Sequence, residues 1–319
     1  MSKTIIITGS SDGIGAAAAR RLSSDGHTVV IVGRSRAKTV AVARELHSDF
    51  FVADFASFDE VRQLAAEIME RYARVDVLAN NAGGVFGDPS RTVDGFEKTI
   101  QVNHLAPFLL TNLLLPVLTA SGANVIQTAS DAARISGTLV IDDLNNAAGR
   151  SPIRAYGDAK LANILFTAEL QRRHGSGVSA AAFHPGTVAS NFAAETASRP
   201  MRLVYGNPLV RRLITTPARG AEQLVWLATT EGGVDWEKGG YYEKGRVARK
   251  VHPQTRSMDL ASELWDVSAR MVGLATSPHP DVAGLQREPH PVAQVEAFGE
   301  CGGQLHPAHP VQPSTGQVI

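Results

Sequence analysis

The chain has 319 residues, 44% hydrophobic and 19% charged, with 31 basic and 31 acidic side chains. That is a soluble globular balance with enough apolar material for one large or two small domains. Zero net charge removes any overall electrostatic case for nucleic acid or an anionic membrane. The single Cys301 excludes an internal disulfide and fits a reducing, cytoplasmic setting.

The opening run Met1–Gly9 is apolar but too short for a signal peptide or a membrane anchor. Thr4–Thr8 reads as a buried strand and Gly13–Ser24 as the helix after it. Strands then recur at Thr28–Val32, Asp49–Val52, Val75–Asn80, Asn124–Thr128 and Val178–Phe183. Helical periods lie between them at Arg36–Leu46, Phe58–Tyr72, Gly95–Leu118 and Ile153–His174. The longest apolar stretch, Ala106–Leu118, is broken by Pro107, Thr111, Asn112 and Pro116, so it reads as a buried helix. Apolar strands alternating with helices predict an α/β fold. The expected form is a Rossmann-like, doubly wound parallel sheet in three αβα layers, one domain over residues 1–275. Ala189–Thr216 is less regular and reads as a flap over the substrate, with Phe192, Met201, Leu203, Val204 and Tyr205 as apolar candidates. Arg219–Ala228 should be a helix, Gly239–Glu243 an edge strand and Ser257–Val272 a closing helix. Ser277–Ile319 holds seven of the sixteen prolines and histidines at 279, 290, 306 and 309. Residues 276–319 therefore read as a disordered tail, without metal-site spacing.

Strand one ends in Thr8-Gly-Ser-Ser-Asp-Gly-Ile-Gly15. A glycine turn between a strand and a helix start aims backbone N–H groups and the helix dipole at one point, where a pyrophosphate fits. Strand two ends in Gly33-Arg34. No acidic residue stands there to bind an adenine-ribose diol, and a guanidinium suits a 2′-phosphate, which favours NADP(H) over NAD(H).

Tyr156 and Lys160 lie one turn apart on a predicted helix, so they share a face. A free phenol, with a pKa of about 10, exchanges protons poorly at neutral pH. A neighbouring ammonium favours the phenolate and brings it towards working range.

With these motifs in place, the chain resembles the short-chain dehydrogenase/reductase family. Thr8–Gly15 is similar to that family's cofactor loop and Asn80-Asn-Ala-Gly83 to its N-N-A-G motif. Asn103, Ser130, Tyr156 and Lys160 match its active-site positions, and His184-Pro-Gly-Thr-Val188 its P-G segment. The runs Val102-Asn-His-Leu and Lys160-Leu-Ala-Asn163 resemble the retinol-dehydrogenase-like branch, as does the long interval from Ser130 to Tyr156. Gly157 and Asp158 replace the more usual small or hydroxyl residues. Membrane-bound members of that branch carry an N-terminal anchor, which this chain is not expected to have.

The resemblance implies hydride transfer between a nicotinamide and a carbonyl or alcohol, with a lipophilic small molecule as substrate. Tyr156 would be the acid/base and Ser130 would hold the reacting oxygen. Lys160 would tune Tyr156 and grip the nicotinamide ribose, and Asn103 would order a water beside it. Cofactor contacts are implied for Gly9, Ser11, Gly13, Ile14 and Gly15, for Arg34, for Asp54 and Phe55, for Asn81, Ala82 and Gly83, and for Pro185, Gly186 and Val188. Asn80 reads as a backbone brace, His104 and His184 as structural, and Val85 and Phe86 as pocket candidates. Family members pair through the two long helices, so a homodimer or homotetramer is expected. An idle dinucleotide-binding sensor or scaffold is the alternative. Light-driven pigment reduction would need an active-site cysteine, and none precedes Cys301.

Overall fold

The computed structural model describes residues 2–86, 91–145, 149–186 and 216–275. Val188, the flap apart from Thr216 (so Phe192, Met201, Leu203, Val204 and Tyr205) and the tail at 276–319 lie outside the described residues.

The strands are β1 (Thr4–Thr8), β2 (Thr28–Gly33), β3 (Phe50–Val52), β4 (Val77–Asn80), β5 (Asn124–Thr128), β6 (Ser179–His184), β7 (Tyr241–Glu243) and β8 (Arg246–Val247). They form one sheet in the order β3-β2-β1-β4-β5-β6-β7-β8. All neighbours are parallel except β7 and β8, which make an antiparallel ribbon at the edge. The longer helices are α1 (Gly13–Ser24), α2 (Arg36–Leu46), α3 (Phe58–Arg71), α4 (Lys98–Ser121), α5 (Pro152–His174), α6 (Pro217–Thr229) and α7 (Met258–Met271).

Helices cover both faces of the sheet. Ile5 and Ile7 of β1 face a core shared with α1, α2 and α6, while Ile6 faces the core of α3, α4, α5 and α7. Burial on both sides explains why β1 is a continuous apolar run rather than an alternating one. Local signals fix the helix ends. Asp12 accepts the Gly13 N–H at the start of α1, and Ser57 accepts from Glu60 at the start of α3. The fourth helix starts later than the sequence suggests, at Lys98 instead of Gly95. A turn closed by Gly95 N–H to Thr92 O precedes it, and the Glu97 carboxylate caps it through Ile100 N–H at 2.8 Å.

Within α4, Gln101–Leu105 is a π turn. Its cause is visible in the sequence. Pro107 has no N–H for the carbonyl four residues back, that of Asn103, and its ring crowds the same oxygen. Widening the helix by one residue relieves the clash. By length and composition α4 could cross a membrane. Here it is a core helix, with Leu109, Leu110, Leu114 and Leu118 fully buried.

Thr99–Thr111 of α4 and Ala155–Thr167 of α5 are buried on every side. The cover comes partly from α7. Trp265 lies 5.1 Å from Phe108, 5.6 Å from Phe166 and 5.7 Å from His174, ring centre to ring centre. The Arg173 guanidinium stacks on it at 4.9 Å, and Arg173 also pairs with Asp266 at 3.2 Å. Truncating Trp265 would leave a cavity between three elements. Trp265→Ala is expected to cost about 3 kcal/mol of stability, read from urea unfolding; a loss within experimental error would show that α7 does not hold this layer.

Candidate active site

The sheet order reverses between β1 and β4, so the loops after those strands diverge and open a crevice at their carboxyl ends. Thr8 stitches the two strands together below it. Its hydroxyl accepts the N–H groups of Asn81 and Ala82, both at 3.0 Å, and donates to Ala79 O at 3.3 Å. Asn81 returns its amide N–H to Thr8 O at 3.0 Å. Gly9 has φ +67, and a Cβ there would come within 2.8 Å of the Ala82 backbone. Any side chain at Gly15 would strike the Gly9 carbonyl, so α1 approaches the loop only through bare backbone.

The crevice is a cleft of about 960 Å³. Its glycine-loop end is lined by Gly9, Ser11, Gly13 and Ile14, and by Arg34 at the end of β2. Lys38 and Asp12 also line it and pair with each other at 2.9 Å. Asp54 and Phe55 form the next part of the wall. One Asp54 oxygen accepts Ala56 N–H at 3.0 Å, so this carboxylate also shapes its own turn. Asn81, Ala82 and Gly83 lie along the floor, followed by Pro185 and Gly186. Gly15 and Asn103 do not reach the surface of the cleft. Gly15 packs under it, and Asn103 is fully buried behind it. Asn80 is also buried and donates to Thr111 Oγ1 at 2.8 Å.

Ser130, Tyr156 and Lys160 all line the cleft's other end, with Val85, Phe86, Ile135 and Ile153 as its apolar part. Lys160 is only 3% exposed. Its ammonium donates to Thr128 O at 2.9 Å and lies 5.4 Å from the centre of the Tyr156 ring. Burial lowers its pKa from the ordinary lysine value of 10.5 to about 7. Ser130 Oγ accepts the Ala132 N–H at 3.2 Å, which leaves its own proton to give. His184 lies alongside; Asp131 N–H donates to its Nδ1 at 3.2 Å, and burial holds its pKa below the ordinary range.

The two departures after Tyr156 have structural reasons. A Cβ on Gly157 would meet Ser136 Oγ at 2.5 Å and Gly137 N at 2.6 Å. Glycine is therefore what lets α5 pack against the one-turn helix Ala132–Ile135 and the segment after it. Asp158 fastens that segment. Its carboxylate accepts Thr138 N–H at 2.6 Å and pairs with Arg150, which also reaches Asp143 at 3.4 Å. The sequence shows both substitutions but not their function, because Thr138 and Arg150 lie 20 and 8 residues before Asp158, outside its helix and in a segment with no periodic pattern.

The family model for short chain dehydrogenases matches residues 3–200. A protein of Streptomyces sp. (strain C5), provisionally named a daunorubicin C-13 ketoreductase, is 41% identical over 279 residues, 85% of this chain and 93% of that one. Human retinol dehydrogenase 13 is 36% identical over 289 residues, 85% of each chain. A crystal structure of an uncharacterized Mycobacterium paratuberculosis protein has a TM-score of 0.66 at 33% identity, covering 85% of this chain and 94% of that one. A short chain dehydrogenase from Shigella flexneri, solved with NADP, shares the fold with a TM-score of 0.57 at 24% identity, over 75% of this chain and 95% of that one. The chain belongs to the short-chain dehydrogenase family of nicotinamide-dependent oxidoreductases that interconvert carbonyls and alcohols.

Proposed function

We propose that the protein is an NADP(H)-dependent carbonyl reductase or alcohol dehydrogenase for bulky apolar substrates. The observation that carries this reading is the cleft itself. One end holds the glycine turn and Arg34, and the other holds Ser130, Tyr156 and Lys160.

The residues present fit a dinucleotide. Side chains at Gly9 or Gly15 would clash with the Ala82 backbone and the Gly9 carbonyl, which holds the glycine turn tight, while the bare backbone of Gly9 and Gly13 on the cleft wall would let a diphosphate come close. Arg34 supplies the guanidinium for a 2′-phosphate, and the Asp12–Lys38 pair neutralises the one carboxylate in the glycine loop. When bound, the nicotinamide supplies or takes up the hydride. In reduction, Tyr156 gives a proton to the developing alkoxide and Ser130 donates a hydrogen bond to the same oxygen. Lys160, protonated beside the ring, makes the phenol a better acid and would grip the ribose. Val85, Phe86, Ile135 and Ile153 would surround the rest of the substrate with apolar surface. The names of two relatives, a C-13 ketoreductase and a retinol dehydrogenase, accord with such a substrate.

Tyr156→Phe removes the proton and little else. It is expected to lower kcat about 100-fold or more on a panel of lipophilic ketones and aldehydes. Equal activity in the variant, or no turnover by the wild type, would leave a binding protein rather than an enzyme. For the cofactor, NADPH should support a higher kcat/KM than NADH, and Arg34→Ala should erase most of that difference. A wild type that turns over faster with NADH would remove Arg34 from the reading. Lys160 generates a third expectation. Its folded-state pKa lies below its unfolded one, so the buried cation costs stability fully below about pH 7. The cost fades as pH rises towards 10.5. Lys160→Met should therefore raise the Tm of the cofactor-free protein near pH 6 and leave it almost unchanged near pH 10. Calorimetry at the two pH values distinguishes this from a shift of equal size at both.

A further inference from the structure

Two sequence features of this chain, His104 beside Asn103 and Asn163 after Lys160, have no part in the chemistry above. They meet in the structure. Asn163 Nδ2 donates to the Asn103 carbonyl at 2.9 Å. Asn163 Oδ1 lies 3.2 Å from His104 Nδ1, and His104 Nε2 lies 2.9 Å from Ser268 Oγ on α7. All four residues are buried, at 0–2% exposure.

The direction of this chain of hydrogen bonds is determined. A carbonyl only accepts, so Asn163 must present its N–H to Asn103 and its oxygen to His104. His104 then carries its proton on Nδ1. Burial lowers its pKa to about 4, so it is neutral, and its Nε2 accepts the Ser268 hydroxyl. Ser268 gives to His104, His104 to Asn163, and Asn163 to Asn103. Each bond polarises the next towards the same oxygen.

That oxygen is the one that Pro107 cannot serve. The side chain of Asn103 is itself fully committed. It donates to Gly84 O at 2.9 Å and Thr99 O at 2.8 Å, and accepts Gly84 N–H at 3.1 Å. Asn103 therefore joins the π turn to the loop after the N-N-A-G motif. That loop also meets the catalytic lysine: a Cβ on Gly83 would touch Asn103 Oδ1 and come within 3.2 Å of Lys160 Nζ. Lys160 and Asn163 are three residues apart on α5, so the helix that carries the lysine also holds the backbone opposite it.

We propose that Asn163 is a positioning residue for the reaction, with His104 and Ser268 as its support: it fixes the Asn103 carbonyl and the adjoining loop against Lys160. This rests on the oxidoreductase reading above. It assigns α7, remote from the cleft in sequence, a route to the active site through Ser268.

The test is Asn163→Leu, which keeps the branched heavy-atom shape and removes both hydrogen bonds. A misplaced lysine environment should lower kcat about tenfold or more and displace the pH profile of kcat, while NADPH affinity, read by fluorescence titration, stays near wild type. His104→Phe keeps the aromatic packing on Phe108 and Phe166 and serves if the leucine variant does not fold; the same displacement in smaller degree is expected. Nitrogen NMR of the cofactor-free protein should find His104 neutral with its proton on Nδ1. A folded variant with wild-type kcat and pH profile, or an effect confined to NADPH affinity, overturns the proposal. So does a proton on Nε2. Failure of the oxidoreductase reading looks different: the wild type itself turns over no carbonyl with either cofactor, while the tautomer is as described.

Discussion

Every group in the cleft depends on how β1 and β4 are held together where their following loops part. Parallel neighbours whose crossovers run in opposite directions leave a crevice at their ends. In this chain the Thr8 hydroxyl and the Asn81 amide close the base of that crevice with four hydrogen bonds. Because the two strands cannot separate there, Gly9 and Ala82 meet backbone to backbone, and α1 settles onto the turn through Gly15. The glycine turn at one end and the floor beneath Lys160 at the other follow from this one junction.

The reactive end adds a second constraint. Lys160 is almost wholly enclosed and its one protein hydrogen bond described is to Thr128 O. A buried ammonium with a single neutral partner is poorly solvated, which is why burial pulls its pKa down so far. Such a group is valuable where its proton must be available near neutrality, and costly elsewhere. The surrounding polar side chains have other partners, Asn103 in Gly84 and Thr99, Asn163 in His104 and the Asn103 carbonyl, and His104 also in Ser268.

Much of this was legible in the sequence where local chemistry decides structure. Thr4–Thr8, Gly13–Ser24, Arg36–Leu46 and Asn124–Thr128 have the bounds read from apolar runs, caps and glycine punctuation. The candidate site positions that line one cleft were legible because their spacing is helical or sits at strand ends: Tyr156 and Lys160 on one face, Ser130 after β5, Arg34 after β2. Part of what escaped depends on contacts distant in sequence. The π turn could have been suspected from Pro107 alone, but its partner Asn163 is sixty positions away. The antiparallel β8 is local, a hairpin from β7 across Lys244-Gly245, but two exposed residues show no apolar pattern, and the ion pair of Asp158 with Arg150 reaches from the helix into an irregular segment. The covering of α4 and α5 by α7 was equally invisible, since an amphipathic helix near the end of a chain does not say which surface it will bury.

The clamp around Asp158 has a consequence for how such a protein can change. Thr138, Asp143 and Arg150 are tied to α5 two residues beyond Tyr156, and Gly157 presses the preceding turn against the same helix. The cleft residues Ile135 and Ile153 are exposed but stand on or beside this fastened ground. Their side chains can be exchanged without disturbing the tyrosine or the lysine. On the proposed function, selectivity and reactivity would be physically separate parts of one fastened piece, so that a lineage could explore new substrates while the proton chemistry stands still.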